Sequence, residues 1–342
     1  MQNSSIDHQG SLSTQDQATK PKTNAPTVRV CIGSPPPPVR LMRHPQLLAH
    51  SLGGKLVLAH IVEAPSTETV PFDPVDWDIQ RREASANLAN LANAIASPNV
   101  DVETELLEGR LVDQIRACNA RKPRDITTVF RVGSGNDWPA MGPARSLIEA
   151  EIGSVLMVPT EISSTYPKKY TKIIVPLDGS ARAESAVPNV VRLAKSNEAE
   201  LVLCHIAPDP QITQLGQPNA KTVEMRNQAA KQNKRTGREY LNRIQSRMRD
   251  CGLNVSTIVS DGGDVRRALL KVIHDQNADL VVMASHGQSN HPDVPTGDIA
   301  NFIMRRSPVP VLMVRPSKRS EQNHIFGKAT SEGVRQPHNV LK

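Results

Sequence analysis

Two short stretches in the second half of the chain hold residues whose types and spacing could do chemistry. In Val175-Pro-Leu-Asp-Gly-Ser180 a carboxylate, a glycine and a hydroxyl follow directly on an apolar run. In the other, the apolar run Leu280-Val-Val-Met-Ala284 leads through Ser285, His286 and Gly287 to Gly297 and Asp298. A glycine-bearing loop that leaves a buried strand and opens a helix presents unpaired backbone N–H groups, which hold anions. Open α/β sheets place ligands at this end of their strands. Asp178-Gly-Ser180 also has a plainer use, because Asp and Ser cap helices and Gly frees the turn between them. His286 and His291 flank the loop and His205 ends an apolar run, but their spacing matches no closed metal motif. His60 repeats His205 in the first half, which points to packing at a strand end. No Gly-x-Ser-x-Gly elbow, phosphate-loop lysine motif or His-Glu-x-x-His occurs, so the residues point to binding rather than catalysis.

The elements that would carry these stretches repeat along the chain. Lys55-Leu-Val-Leu-Ala-His-Ile61 matches Glu200-Leu-Val-Leu-Cys-His-Ile206, and Asp125-Ile-Thr-Thr-Val-Phe130 matches Asp279-Leu-Val-Val-Met-Ala284. Val155-Leu-Met-Val158 returns as Val311-Leu-Met-Val314, in the same order. Ordered repetition of this kind marks duplicated units. Short apolar runs without alternation suit strands covered on both faces, and their alternation with helical patterns predicts a parallel, doubly wound sheet in each half. In the second half the strands are expected over 172–175, 201–205, 254–259, 280–284 and 311–314, with helices near 181–196, 222–250, 264–276 and 298–306. Ala183, Ala186, Val187, Val190, Val191 and Ala194 form a core-facing stripe on the first of these helices, with Pro188 as a kink.

The spacing from Ala284 through Gly287 and Gly297 to Asp298 resembles the nucleotide loop of the universal stress protein family, which has glycine, two residues, glycine, nine residues, then glycine and a hydroxyl residue. The resemblance covers roughly residues 27–316 and implies an α/β fold of two doubly wound, five-stranded, Rossmann-like domains. It implies an adenine nucleotide, ATP (with magnesium) or AMP, in the second domain. Pro176, Asp178, Ser180, Ile206, Ala284, Ser285, Gly287, Gly297, Asp298 and Ile299 would bind it. Asp178 would face the adenine and ribose, whose hydroxyls and amine a carboxylate accepts from, and Ile206 would lie against the base. Two departures stand out. Ala284 replaces a glycine, and Asp298 replaces the hydroxyl. A carboxylate at ~4 Å opposes a phosphate by ~1 to 4 kcal/mol depending on screening. It also suits the helix dipole. The alternative reading is a nucleotide-free interaction module of the stress response. The family's last strands pair antiparallel between subunits, so Val155–Val158 is expected beside Val311–Val314 as an internal pseudo-dimer.

The first half reads as a degenerate copy. Val30-Cys-Ile-Gly-Ser-Pro-Pro-Pro-Pro38 has no acidic residue after the strand, its prolines delay the helix, and the loop Gly133–Gly142 is one residue short. The expected organisation is a disordered segment 1–26, domains 27–159 and 171–316 joined by linker 160–170, and a disordered tail 317–342. With 342 residues, 38% apolar and 22% charged, the chain suits a soluble two-domain protein. No run reaches the ~20 apolar residues of a membrane span, no secretory signal opens the chain, and Cys31, Cys118, Cys204 and Cys251 lie far apart, which together imply the cytoplasm. The net charge of +7 permits nucleic acid. The basic run 221–249 carries only Tyr240 as an aromatic platform, and that weighs against such a partner.

Overall fold

The computed structural model describes residues 25–33, 35–63, 73–121, 124–131, 147, 153–161, 168–208, 210, 220–285 and 297–315. The expected terminal segments, most of the linker, the loop 133–142, and the positions of His286, Gly287 and His291 lie outside them. In the first half β1 (Thr27–Ile32), a 3-10 turn (Val39–Met42), α1 (Arg43–Ser51), β2 (Lys55–Val62), α2 (Pro74–Ile95), β3 (Val102–Glu108), α3 (Leu111–Arg121), β4 (Ile126–Arg131) and β5 (Ser154–Pro159) follow in order. The second half continues with β6 (Lys172–Pro176), α4 (Ala181–Glu184), α5 (Val187–Asn197), β7 (Glu200–Pro208), α6 (Ala220–Asp250), β8 (Val255–Gly262), α7 (Val265–Asp275), β9 (Leu280–Ala284), α8 (Asp298–Arg306) and β10 (Val311–Val314).

All ten strands form one sheet in the order β3-β2-β1-β4-β5-β10-β9-β6-β7-β8. Each half is a doubly wound parallel unit with its first strand in the middle. β5 and β10 meet antiparallel, with Val311 opposite Met157, Leu312 opposite Leu156 and Met313 opposite Val155. The repeated Val-Leu-Met-Val therefore forms the seam between halves. Successive side chains alternate faces. Ile173 and Val175 join a core under α1, α2, α5 and α6, while Ile174 joins a second core under α3, α7 and α8. Both cores run through the seam, since Leu156, Leu312 and Val314 belong to the first and Val155, Met157, Val311 and Met313 to the second.

The helix expected over 181–196 is broken. α4 ends at Glu184 and α5 starts at Val187, with Pro188 in its first turn, where a missing N–H costs nothing. Prolines 35–38 delay the first helix of the first half, and α1 begins only at Arg43. Part of the basic run on α6 is neutralised internally, as Lys234 pairs with Asp261 at 2.8 Å and Arg235 with Glu239 at 2.9 Å. No helix among the described residues is long and apolar enough to cross a membrane.

Further contacts among the described residues join the halves. Asn197 on α5 donates to Ser51 Oγ on α1 at 2.7 Å, and Arg192 donates to the Leu52 carbonyl. Tyr170, fully buried just ahead of β6, stacks on His44 of α1 with ring centroids 6.1 Å apart. On the other face Arg131, the last residue of β4, reaches across to α8: Nη1 donates to the Met304 carbonyl and Nη2 to the Ser307 carbonyl, each at 2.9 Å.

Candidate functional site

The sheet order reverses between β6 and β9, so the crevice of the second half opens at the carboxyl ends of these two strands. Asp178 stands two residues beyond β6. Its Oδ1 accepts the Ser180 N–H at 2.9 Å, across Gly179 at φ +88°, a backbone conformation that favours glycine. Ser180 Oγ accepts the Ala183 N–H at 3.1 Å and caps α4. The capping use of Asp178-Gly-Ser180 is thus realised in the geometry. α4 packs against β9, which brings this turn to the edge where the glycine loop begins.

Pro176 closes β6 opposite Cys204, and Ile206 lies on β7, half-buried against the second core. The turn is braced from behind. His205 Nδ1 lies 2.8 Å from the Leu177 carbonyl, which fixes the hydrogen on that nitrogen, and its ring meets Tyr240 edge-on at 6.4 Å. The Tyr240 hydroxyl donates to Glu184 Oε1 at 3.0 Å, and burial, with Glu184 adding to it, pushes the phenol pKa upward. A Cβ on Gly237 of α6 would stand 2.4 Å from His205 Cδ2. In an open helix Gly→Ala gains about 1 kcal/mol, but overpacking costs about 1 to 3 kcal/mol. We expect Gly237→Ala to lower stability by about 1 kcal/mol in urea unfolding despite its better helix propensity. A rise in stability would show that His205 is free to move.

Ala284 is the buried last residue of β9, paired with Val314 and outside the positive-φ region, so its methyl is accommodated. Ser285 is buried as well. Its carbonyl accepts the Gly297 N–H at 2.9 Å, so both ends of the intervening loop meet. Gly297 itself sits at φ −58° and ψ 146°, a conformation open to any residue; its lack of a side chain, not its dihedral freedom, is what it offers. Ile299 is exposed on the first turn of α8 rather than turned inward.

Asp298 opens α8, and its carboxylate lies 3.1 Å from Arg266 Nη1 on α7. Arg266 also holds both oxygens of Asp264, the cap of α7, at 3.0 and 3.2 Å, and its guanidinium stands 5.5 Å over the Phe302 ring. Its bond to Asp264 holds that carboxyl below the usual range. The carboxylate at the helix start is therefore not a bare charge. Arg266 gave no signal in the sequence, because it lies 32 residues from Asp298 in no recognisable spacing. His205 and Tyr240 stood out in the sequence for other reasons, but their contact with each other and with Glu184 was hidden, being made only by β7, α6 and α4.

A doubly wound, mostly parallel sheet with helices on both faces defines the class of Rossmann-type α/β domains. Residues 169–315 match the model of the Universal stress protein family, and this half of the chain is a universal stress protein domain. A universal stress protein of Methanocaldococcus jannaschii is 25% identical over 155 residues, 43% of this chain and 95% of that protein. One from Bacillus subtilis is 26% identical over 152 residues, 43% of this chain and 99% of its own length. In fold, the chain is similar to a universal stress protein from Archaeoglobus fulgidus (TM-score 0.57, 15% identity), with 85% of this chain and 97% of that one covered. A functionally unknown protein from Pseudomonas aeruginosa is similar at TM-score 0.58 and 15% identity, covering 85% and 93%.

Proposed function

We propose that the second half binds an adenine nucleotide, AMP or ATP with magnesium, as a regulatory module of the stress response, and that the chain acts by binding rather than catalysis. The observation that carries this reading is the placement of the Asp178 turn and the opening of α8 at one edge of neighbouring strands β6 and β9. Pro176, Asp178, Ser180 and Ile206 would form the base and ribose side, and Ala284, Ser285, Gly287, Gly297, Asp298 and Ile299 the phosphate side. The family match of this half supports it. In this proposal residues 27–159 are a degenerate partner domain, 160–170 the linker, and the β5–β10 seam an internal pseudo-dimer contact. Calorimetric titration of AMP, ADP and ATP, with and without magnesium, into wild type and Asp178→Ala tests the reading. Binding that weakens at least about tenfold in the variant supports it, and no heat with any nucleotide sinks it.

One observation favours a second reading. Asp178 already serves the Ser180 N–H and Asp298 is already engaged by Arg266, as in a closed, nucleotide-free interaction module. The two readings divide at Asp298→Ser. That change removes the negative charge and leaves Arg266 facing the helix start. We expect it to tighten ATP relative to AMP by about tenfold. An unchanged ratio of the two dissociation constants removes Asp298 from phosphate handling.

A further inference from the structure

We propose that two copies of this chain join edge to edge through β8, in an antiparallel pairing centred on Ile258. The sheet ends in β3 on one side and β8 on the other. A sheet edge presents a row of unpaired N–H and C=O groups that can take up another strand. The two edges are guarded differently. β3 carries Glu103, Glu105 and Glu108, and like charges set opposite one another oppose pairing with a second β3. β8 has neither a charge nor a proline before Asp261, and β-branched residues fill half of it.

The direction of the backbone groups selects the register. In a parallel ladder, alternate residues of a strand turn their N–H and C=O toward the same neighbour. Leu201 stands opposite Val255, and its N–H donates to the Asn254 carbonyl at 2.9 Å. Asn254, Ser256, Ile258 and Ser260 therefore face β7, while Val255, Thr257, Val259 and Asp261 face outward. The outward carbonyls at the two ends are engaged. That of Val255 accepts from Gln245 Nε2 at 2.7 Å and Arg249 Nη2 at 2.9 Å, and that of Asp261 accepts from Ser260 Oγ at 3.4 Å. Thr257 and Val259 have no such partner among the described residues, and they lie symmetrically about Ile258. A two-fold axis normal to the sheet at Ile258 sets Thr257 of each copy opposite Val259 of the other. Each such pair exchanges both of its backbone hydrogen bonds, and one sheet runs through both copies.

Charge complementarity points to a second copy as the occupant. The same register puts Asp261 of one copy opposite Val255 of the other. Both side chains belong to the face covered by α6, since Val255 lies in the first core and Asp261 is held by Lys234 of α6 at 2.8 Å. The Arg249 guanidinium is fixed at the Val255 carbonyl. The Asp261 carboxylate, 77% exposed, therefore arrives beside Arg249 of the other copy, and the two-fold axis makes the contact twice.

Sedimentation velocity of the full chain over a range of concentrations tests the pairing. Wild type should sediment as a dimer at about 50 µM and dissociate on dilution. Thr257→Pro removes an outward donor, and an edge strand tolerates proline where its N–H would face solvent. This variant should keep the wild-type circular dichroism and weaken the dimer by about a hundredfold. Asp261→Lys changes only an exposed side chain and should weaken the dimer by about tenfold, so the test survives a proline variant that misfolds. Thr104→Pro is the control on the opposite edge. Leu56 donates to the Asp101 carbonyl, so Thr104 of β3 also faces outward, and its variant should dimerise as wild type does. A wild type that stays monomeric at every concentration overturns the proposal, as does a dimer that Thr257→Pro and Asp261→Lys leave intact. Growth beyond the dimer, or loss of association in Thr104→Pro, means that β3 of one copy meets β8 of the next and overturns it too.

Discussion

Replacing Arg131 with Met is expected to lower the unfolding free energy by about 3 to 5 kcal/mol, for the loss of two charge-assisted bonds to buried carbonyls. Arg131 is 4% exposed, and both carbonyls it holds belong to residues that are fully buried at the end of α8. The last carbonyls of a helix have no partner within the helix, and a cation suits that end of the dipole. Burial lowers the pKa of the guanidinium and Glu161 opposes that shift, but arginine keeps its charge in any case. Methionine fills the space and supplies no donor, so both carbonyls are stranded. Lysine keeps the charge but lacks the two-pronged donor, so Arg131→Lys should recover only part of the loss. Urea unfolding midpoints for the three proteins check this. Equal midpoints for wild type and Arg131→Met would mean that water replaces the guanidinium at no cost. The effect reaches beyond stability, because α8 begins at the candidate phosphate side of the second half and ends in the grip of the first.

The second large effect is on acid stability. Burial, with Arg43 adding to it, lowers the pKa of His44 from 6.5 to about 4. A group whose folded pKa lies below its unfolded value favours the folded state when deprotonated. Its contribution is therefore complete above 6.5 and is lost as pH falls through the window to about 4. The full loss is about 3 kcal/mol. His60, lowered by burial, acts with the same sign, while Asp279, raised by burial, acts with the opposite one. The difference between wild type and His44→Phe isolates the one group. Phenylalanine keeps the ring under Tyr170 and removes the titration, so its stability should fall less between neutral and acid pH. Parallel pH curves for the two proteins would show that His44 is protonated in the folded state as easily as in water.

The strands of both halves could be read from the sequence because each is a short apolar run buried on both faces; the repeated four residues marked the two last strands, and their antiparallel pairing was implied by the family resemblance. The turn at Asp178 and the start of α8 were legible for the same local reason, since capping and glycine spacing act over a few residues. What could not be read is what the fold assembles from distant parts. Arg29, Glu105, Asn119 and Thr127 stand in the first half at positions where the second has Ile174, Ile258, Ile273 and Val281. Arg29 meets Glu105 at 3.2 Å and Asp125 at 3.6 Å and stands beside Thr127 in the strand register. Nothing in their spacing announces that Arg29, Glu105 and Thr127 lie on nearby strands of one sheet. A buried arginine in a strand reads locally as a surface residue. The same blindness hid Arg131, whose partners lie 173 and 176 residues away, and Arg266, which alters what Asp298 presents to a ligand.

The antiparallel seam also sets a timetable. β5 ends at residue 159, yet the strand that covers its outer edge spans residues 311–314 and is among the last described parts of the chain to leave the ribosome. At ~5 to 20 residues per second, the newborn first half waits roughly ten to thirty seconds with an unpaired apolar edge. Such an edge invites another strand. In a polysome, the nearest candidate is the equivalent edge of the next nascent chain, so swapped assembly between neighbours on one message competes with closure within the chain.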